Sequence, residues 1–162
     1  MKKNIFYLII LLFFTFIFTI FYIGLDKPNF YTPKEIKNKS LEEFTSTELF
    51  SNEQFSSSDI IENNKFTLIN IWSSWCVPCR LEHSVLMDLS EKTDLNIVGL
   101  NYKDKKNNAI KFLNELGNPF SKILTDPDGI VSISLGAYGV PETFLLNNKS
   151  KIIRKYIGPL TK

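Results

Sequence analysis

The chain has 162 residues, of which 44% are hydrophobic and 22% charged, enough for one globular domain and too apolar for a disordered chain. Beyond the first 25 residues, 17 basic residues face 17 acidic ones, so the remainder is formally neutral. That balance argues against nucleic-acid binding, which needs a basic stripe, and two cysteines exclude a disulfide-rich scaffold.

Residues 5–25 read IFYLIILLFFTFIFTIFYIGL, without charge or proline. As a helix this run extends about 30 Å, the depth of a bilayer core. It is apolar on every face, unlike a core helix, and has no small-x-small cleavage site at its end. The reading is an uncleaved signal anchor over 1–25. Lys2 and Lys3 favour an N-in, C-out orientation, although Lys27, Lys34, Lys37 and Lys39 on the far side oppose it. Residues 26–43, with Pro28 and Pro33, read as a linker, and 44–162 as one domain.

Within the domain, 44–61 suggests short strands and turns at an edge, and Asn63-Asn64 a turn. Phe66 to Trp72 is a continuous β-rich run, the mark of a buried central strand. A helix follows from Cys76 to about Lys92, with an apolar stripe of Leu81, Val85, Leu86 and Leu89. Leu95–Tyr102 reads as a strand, Asn107–Leu116 as a helix stopped by Gly117 and Pro119, and Phe120–Leu124 as a short strand. Asp126-Pro127-Asp128-Gly129 is a turn before a short helix at Ile130–Leu135. Pro141–Leu146 and Lys151–Ile157 form a hairpin around residues 147–150. Strands that alternate with helices and end in a hairpin give an α/β fold with a mixed sheet.

The chemistry centres on Cys76-Val77-Pro78-Cys79. Cys76 lies between a strand and a helix, where free backbone N–H groups and the helix dipole favour a thiolate. Pro78 suits the first helical turn, and Cys79 is one turn on, within disulfide reach. The pair can cycle between dithiol and disulfide, with Cys76 the exposed attacker and Cys79 the buried resolver. Zinc, copper and a purely structural disulfide are the competing readings. Zinc needs four ligands, and the chain offers two cysteines and one histidine, His83.

The stretch from Asn70 through Trp72, Trp75, Cys76, Cys79 and Arg80 to Glu82 and His83 resembles the thioredoxin superfamily. It looks most like the membrane-anchored cytochrome c biogenesis branch, CcmG/DsbE. Gly136-Ala-Tyr-Gly-Val-Pro-Glu-Thr-Phe-Leu-Leu146 resembles a second signature of that branch, and Val98–Asp104 and Phe112–Pro119 match it too; the likeness covers about 65–160. It implies a thioredoxin-like fold, a central mixed sheet flanked by helices behind one transmembrane helix. It also implies that Val140–Pro141 is a cis bond facing the Cys pair, leaving backbone free to pair with an extended client; an ordinary strand-start proline is the plain alternative.

By the same likeness Glu142 and Glu82 lie near the active site and tune or relay protons in place of the buried aspartate that thioredoxins carry where this chain has Asn70. A hairpin surface charge and a solvated helix face are their plain alternatives. Trp75 is expected to pack beside Cys76 and restrict access, Trp72 to be core, Arg80 a surface cation and His83 a helix polar residue. No cofactor is implied beyond the Cys76–Cys79 disulfide.

The implied function is a thiol:disulfide oxidoreductase, single-pass in the bacterial inner membrane with a periplasmic domain, monomeric. It would reduce the Cys-x-x-Cys-His cysteines of apocytochrome c, or a haem-ligation component, with electrons from a membrane donor of the CcdA/DsbD type. A general exported ResA/TlpA-like thioredoxin and a non-catalytic membrane-tethered peptide-binding module are the alternatives. A DsbA-type oxidase fits poorly, since Val77-Pro78 lacks the histidine such enzymes carry between their cysteines. The branch usually continues into another helix after Ile157-Gly158-Pro159-Leu160, which leaves the covering of one sheet face open.

Overall fold

The computed structural model of the chain describes residues 2–25, 39–61 and 66–161. The expected Asn63-Asn64 turn and most of the 26–43 linker lie outside these residues. The chain divides into two compact units, the first holding an N-terminal helix and the second every described strand.

In the first unit α1 (Lys2–Leu25) is one unbroken helix, long and apolar enough to cross a membrane. Its two threonines do not interrupt it, because each hydroxyl bonds back to a carbonyl one turn earlier: Thr15 to Leu11, and Thr19 to Thr15 at 2.7 Å. That internal satisfaction is what a polar side chain needs in a hydrocarbon setting.

In the second unit β1 (Thr45–Glu48) and β2 (Gln54–Ser56) form the edge hairpin expected from the polar, weakly patterned 44–61 stretch. They are followed by β3 (Thr67–Trp72), α2 (Val77–Lys92), β4 (Asn96–Tyr102) and α3 (Lys106–Leu116). Then come β5 (Lys122–Asp126), α4 (Ile130–Ser134), β6 (Glu142–Leu146) and β7 (Ile152–Ile157). The seven strands form one sheet in the order β2-β1-β5-β4-β3-β6-β7. The β3–β4 and β4–β5 pairs are parallel and the others antiparallel, so the sheet is mixed. This is the thioredoxin-like arrangement.

Strand periodicity divides the core between the two sheet faces. Leu68, Trp72, Ile97 and Ile123 pack with Leu86 of α2 and with Ala109, Phe112 and Leu113 of α3. Ile69, Ile71, Val98, Leu100, Leu124, Phe144 and Leu146 form the other layer with Leu135 and Ile152. Trp72 stacks on Phe120 at 5.5 Å and meets Phe112 at 5.0 Å, which makes it a core residue as expected. Gly99 makes this packing possible, since a Cβ there would sit 2.8 Å from the Trp72 indole nitrogen and 3.0 Å from Phe120.

Two expectations need correction. Residues 39–43 are not linker: Leu41 is buried, its N–H donates to the Ser150 carbonyl at 2.7 Å, and Ile152 N–H donates to Lys39. The buried stripe of α2 is also rotated. Leu81 is exposed, while Cys79, Glu82, His83 and Leu86 face inward. At 3.6 residues per turn, pointing Cys79 at the sheet carries 82, 83 and 86 with it and turns 81 outward.

Candidate active site

Ser73, Ser74 and Trp75 connect β3 to α2, and a short loop after β4 holds them. The Asp104 carboxylate accepts from Ser74 N–H at 2.6 Å and from the Ser74 hydroxyl at 2.8 Å. The Ser73 hydroxyl donates to the Tyr102 carbonyl, and the Trp75 indole N–H donates to that of Lys103 at 3.0 Å. Asp104 was no sequence candidate, since nothing local couples it to a loop 30 residues earlier. Trp75 remains more than half exposed, so it rims the site.

Cys76 caps α2 in an extended conformation, and its Sγ accepts the Cys79 N–H at 3.1 Å. Pro78 sits in the first turn, as its missing N–H allows. The Cys76 sulfur is therefore the one that accepts a first-turn amide at the positive end of the helix. The two cysteines form a disulfide, and both are buried, at 4% and 2% exposure. The expected contrast between an exposed Cys76 and a buried Cys79 is absent in this oxidised state. Bonded sulfurs share one site, so access to Cys76 is set by the rim.

Glu82 lies one turn beyond Cys79 on the same inward face and is 1% exposed. Its carboxylate accepts from Asn70 Nδ2 at 2.9 Å and from the Leu160 backbone N–H at 2.8 Å. Asn70 also donates to the Thr143 hydroxyl at 3.0 Å, tying β3 to β6 beneath the helix. Burial holds the Glu82 carboxyl above its ordinary value, and the Leu160 and Asn70 hydrogen bonds pull against that rise. The solvated-face alternative for Glu82 is thereby excluded.

His83 is buried too, edge-on to Phe112 at 5.0 Å, with Nε2 donating to the Gly117 carbonyl at 3.0 Å. Burial depresses its proton affinity, the Arg80 charge adds to that, and the Gly117 bond opposes it. Arg80 is a surface cation as expected, paired with Glu115 at 2.9 Å and lying over the Phe112 ring.

The Val140–Pro141 bond is cis. Glu142 follows it, 1% exposed, so it is no hairpin surface charge. Its Oε1 accepts from Tyr138 N–H at 2.8 Å and Gly139 N–H at 3.1 Å. Its Oε2 lies 2.7 Å from Lys155 Nζ in an ion pair rather than an aligned hydrogen bond. Lys155 also donates to the Gly136 carbonyl at 2.7 Å. Strand alternation places Glu142 on the Phe144 and Leu146 face, while the Asn70 hydrogen bond sets Glu82 of α2 against the opposite face, that of Asn70 and Thr143. The two acids thus belong to separate networks on opposite sides of the sheet. Local pattern assigns no site role to Lys155, Thr143 or Leu160, because only strand register and chain return bring them to these acids. Among the described residues no three His, Cys, Asp or Glu side chains converge as a metal site would require.

Comparison with known proteins agrees with this architecture. The Redoxin family matches residues 36–162. The thiol:disulfide interchange protein CycY of Rhizobium leguminosarum bv. viciae is 50% identical over 60% of this chain and 52% of its own length. The probable thiol:disulfide interchange protein DsbE-2 of Pasteurella multocida is 34% identical over 99% of this chain and 84% of its own. A solved DsbF homologue from Corynebacterium diphtheriae superimposes with a TM-score of 0.67 at 26% identity, covering 83% of this chain and 89% of that one. The chain spans about half the length of most of the curated relatives it matches. With a family match over most of the chain and a relative aligned nearly end to end, the chain belongs to the Redoxin family, in its DsbE-type thiol:disulfide interchange branch.

Proposed function

We propose that the chain is a membrane-tethered thiol:disulfide oxidoreductase that works as a reductant in cytochrome c maturation. The observation that carries this reading is the disulfide at the start of α2, with the buried Glu82 one turn further along the same inward face of the helix. The likeness to the CcmG/DsbE branch supplies the direction of electron flow and the client.

In the reduced protein the Cys76 thiolate attacks one sulfur of a client disulfide. A Cys76–client bond forms, the client disulfide breaks, and the departing client thiolate takes a proton. Cys79 then gives its proton to the Glu82 carboxylate and attacks the Cys76 sulfur. The Cys76–Cys79 bond forms, the second client thiolate leaves, and two electrons have passed from the pair to the client. Trp75, Pro78, Val140 and Pro141 shape the client-facing rim, and Glu142 orders the loop that presents Pro141. The exchange uses no cofactor beyond the disulfide itself.

The client is the Cys-x-x-Cys-His segment of apocytochrome c or a haem-ligation component, and a membrane donor of the CcdA/DsbD type restores the dithiol. Helix α1 anchors the domain on the periplasmic side of the inner membrane. The test is complementation of a bacterium deprived of its own cytochrome c reductant of this type. The wild-type chain restores covalently haem-stained cytochrome c and Cys76→Ser does not. Restoration by neither, with both proteins present at equal level, would refute the cytochrome assignment. A reporter active only after export, fused beyond Lys162, checks the topology, and silence there would place the domain in the cytoplasm.

A further inference from the structure

The segment that leaves β7 makes two backbone contacts that the exchange steps above do not use. Gly158 N–H donates to the Pro141 carbonyl at 3.0 Å, and two residues later Leu160 N–H donates to Glu82 Oε2 at 2.8 Å. The Leu160 side chain packs against the core layer that contains Cys76 and Cys79. Gly158 has φ +85°, a conformation that favours glycine, and among the described residues a Cβ there would meet nothing within 4 Å. Three residues thus join the client-facing loop to the acid behind the disulfide.

We infer that Gly158–Leu160 is a positioning strap of the exchange centre: it holds the Glu82 carboxylate in place behind Cys79 through the Leu160 N–H, and is itself held to the Pro141 loop through the Gly158 N–H. The physical case is one of donors. Glu82 is buried, so its charged form needs hydrogen bonds to replace water. Asn70 serves Oε1 and Leu160 serves Oε2. Asn70 and Thr143 approach from the sheet as neutral groups. The titratable or charged neighbours on its own helix are Cys79, Arg80 and His83; Arg80 is engaged with Glu115 and His83 with Gly117. Among the described residues the strap N–H is therefore one of two direct donors to the ionised acid, and a backbone donor is fixed in direction by the chain that carries it. Losing it leaves the carboxylate a poorer home for charge and a tighter holder of its proton.

This inference rests on the dithiol–disulfide reading of Cys76 and Cys79, and its test uses dithiothreitol as the exchange partner, so it stands or falls independently of the cytochrome client. The full chain is studied in detergent with 13C-labelled glutamate, and Glu82→Gln assigns the resonance. An amide-to-ester replacement at residue 160 removes only the N–H. Leu160→Pro removes the N–H and the side chain, and Leu160→Ala removes the side chain alone. The ester and the proline variant should raise the Glu82 titration midpoint by about one pH unit, a tenfold change in proton affinity. The pH profile of mixed-disulfide resolution should move with it, while Leu160→Ala shifts both by less than about a third of that. Gly158→Ala, which strains the strap without crowding it, should shift the midpoint in the same direction by less. An ester-bearing protein with the wild-type midpoint and pH profile would overturn the assignment, as would Leu160→Ala shifting them as far as the ester does.

Discussion

Lys155→Met tests whether the Glu142–Lys155 pair holds the loop that carries Pro141. Both side chains are nearly fully buried and 2.7 Å apart. Methionine matches the length of the lysine stem but leaves Glu142, among the described residues, with two backbone donors and no counter-charge. Removing one partner of a buried ion pair typically costs about 3–5 kcal/mol. The surviving Tyr138 and Gly139 bonds place this case near the lower end, about 3 kcal/mol. Lys155 also lies 4.2 Å from the Tyr138 ring centroid, a cation–π contact worth about 1 kcal/mol that is lost with it. Against a domain stability of about 5–15 kcal/mol this is a large fraction. Urea unfolding of the full chain in detergent at pH 7, followed by tryptophan fluorescence, measures it. Glu142→Gln in the same background should recover about 2 kcal/mol, because the buried charge then goes with its partner. A cost below about 1 kcal/mol for Lys155→Met, or a double variant no better than the sum of the singles, would refute the reasoning.

Cys76→Ser should abolish exchange, and Cys79→Ser should accumulate a mixed disulfide through Cys76, seen by mass spectrometry; trapping through Cys79 in the Cys76→Ser protein would reverse the order of attack. Because burial depresses His83, the folded state binds fewer protons there than the unfolded chain, so stability is full above about pH 6.5 and falls as acid drives the pH toward the depressed folded value. Urea midpoints for wild type and His83→Gln between pH 8 and 5 should show that slope weakened in the variant. Gly99→Ala should cost about 1–3 kcal/mol, since its methyl group would meet Trp72 and Phe120; a thermal melt unchanged from wild type would show that this layer yields.

Much of the fold was legible in local pattern. The β3 run, the strand that follows α2, α3 ended by Gly117, and the closing hairpin were each readable from apolar period and turn residues, because those signals are written within ten residues. The same holds for Cys76 and Cys79, whose spacing places them one helical turn apart after a strand. What local pattern could not decide was the rotation of α2. Leu81 carries the stronger apolar signal, yet it faces solvent while Glu82 and His83 face the core.

The reason is that a polar side chain goes inside only where partners await it, and those partners come from distant parts of the chain. Asn70 of β3 and the strap at Leu160 receive Glu82, and the Gly117 carbonyl receives His83. Glu142 gives the same lesson. Its motif marked it for the site, but only the β6–β7 register sets Lys155 beside Phe144 and so within reach of the carboxylate. Sequence by itself thus determined the strands, the helices, the apolar N-terminal span and the reactive thiol pair, each a product of short-range spacing. Tertiary structure alone decided which acids are buried, which face of the sheet each occupies and which donors hold them, because desolvation is offset by hydrogen bonds that long-range chain return creates.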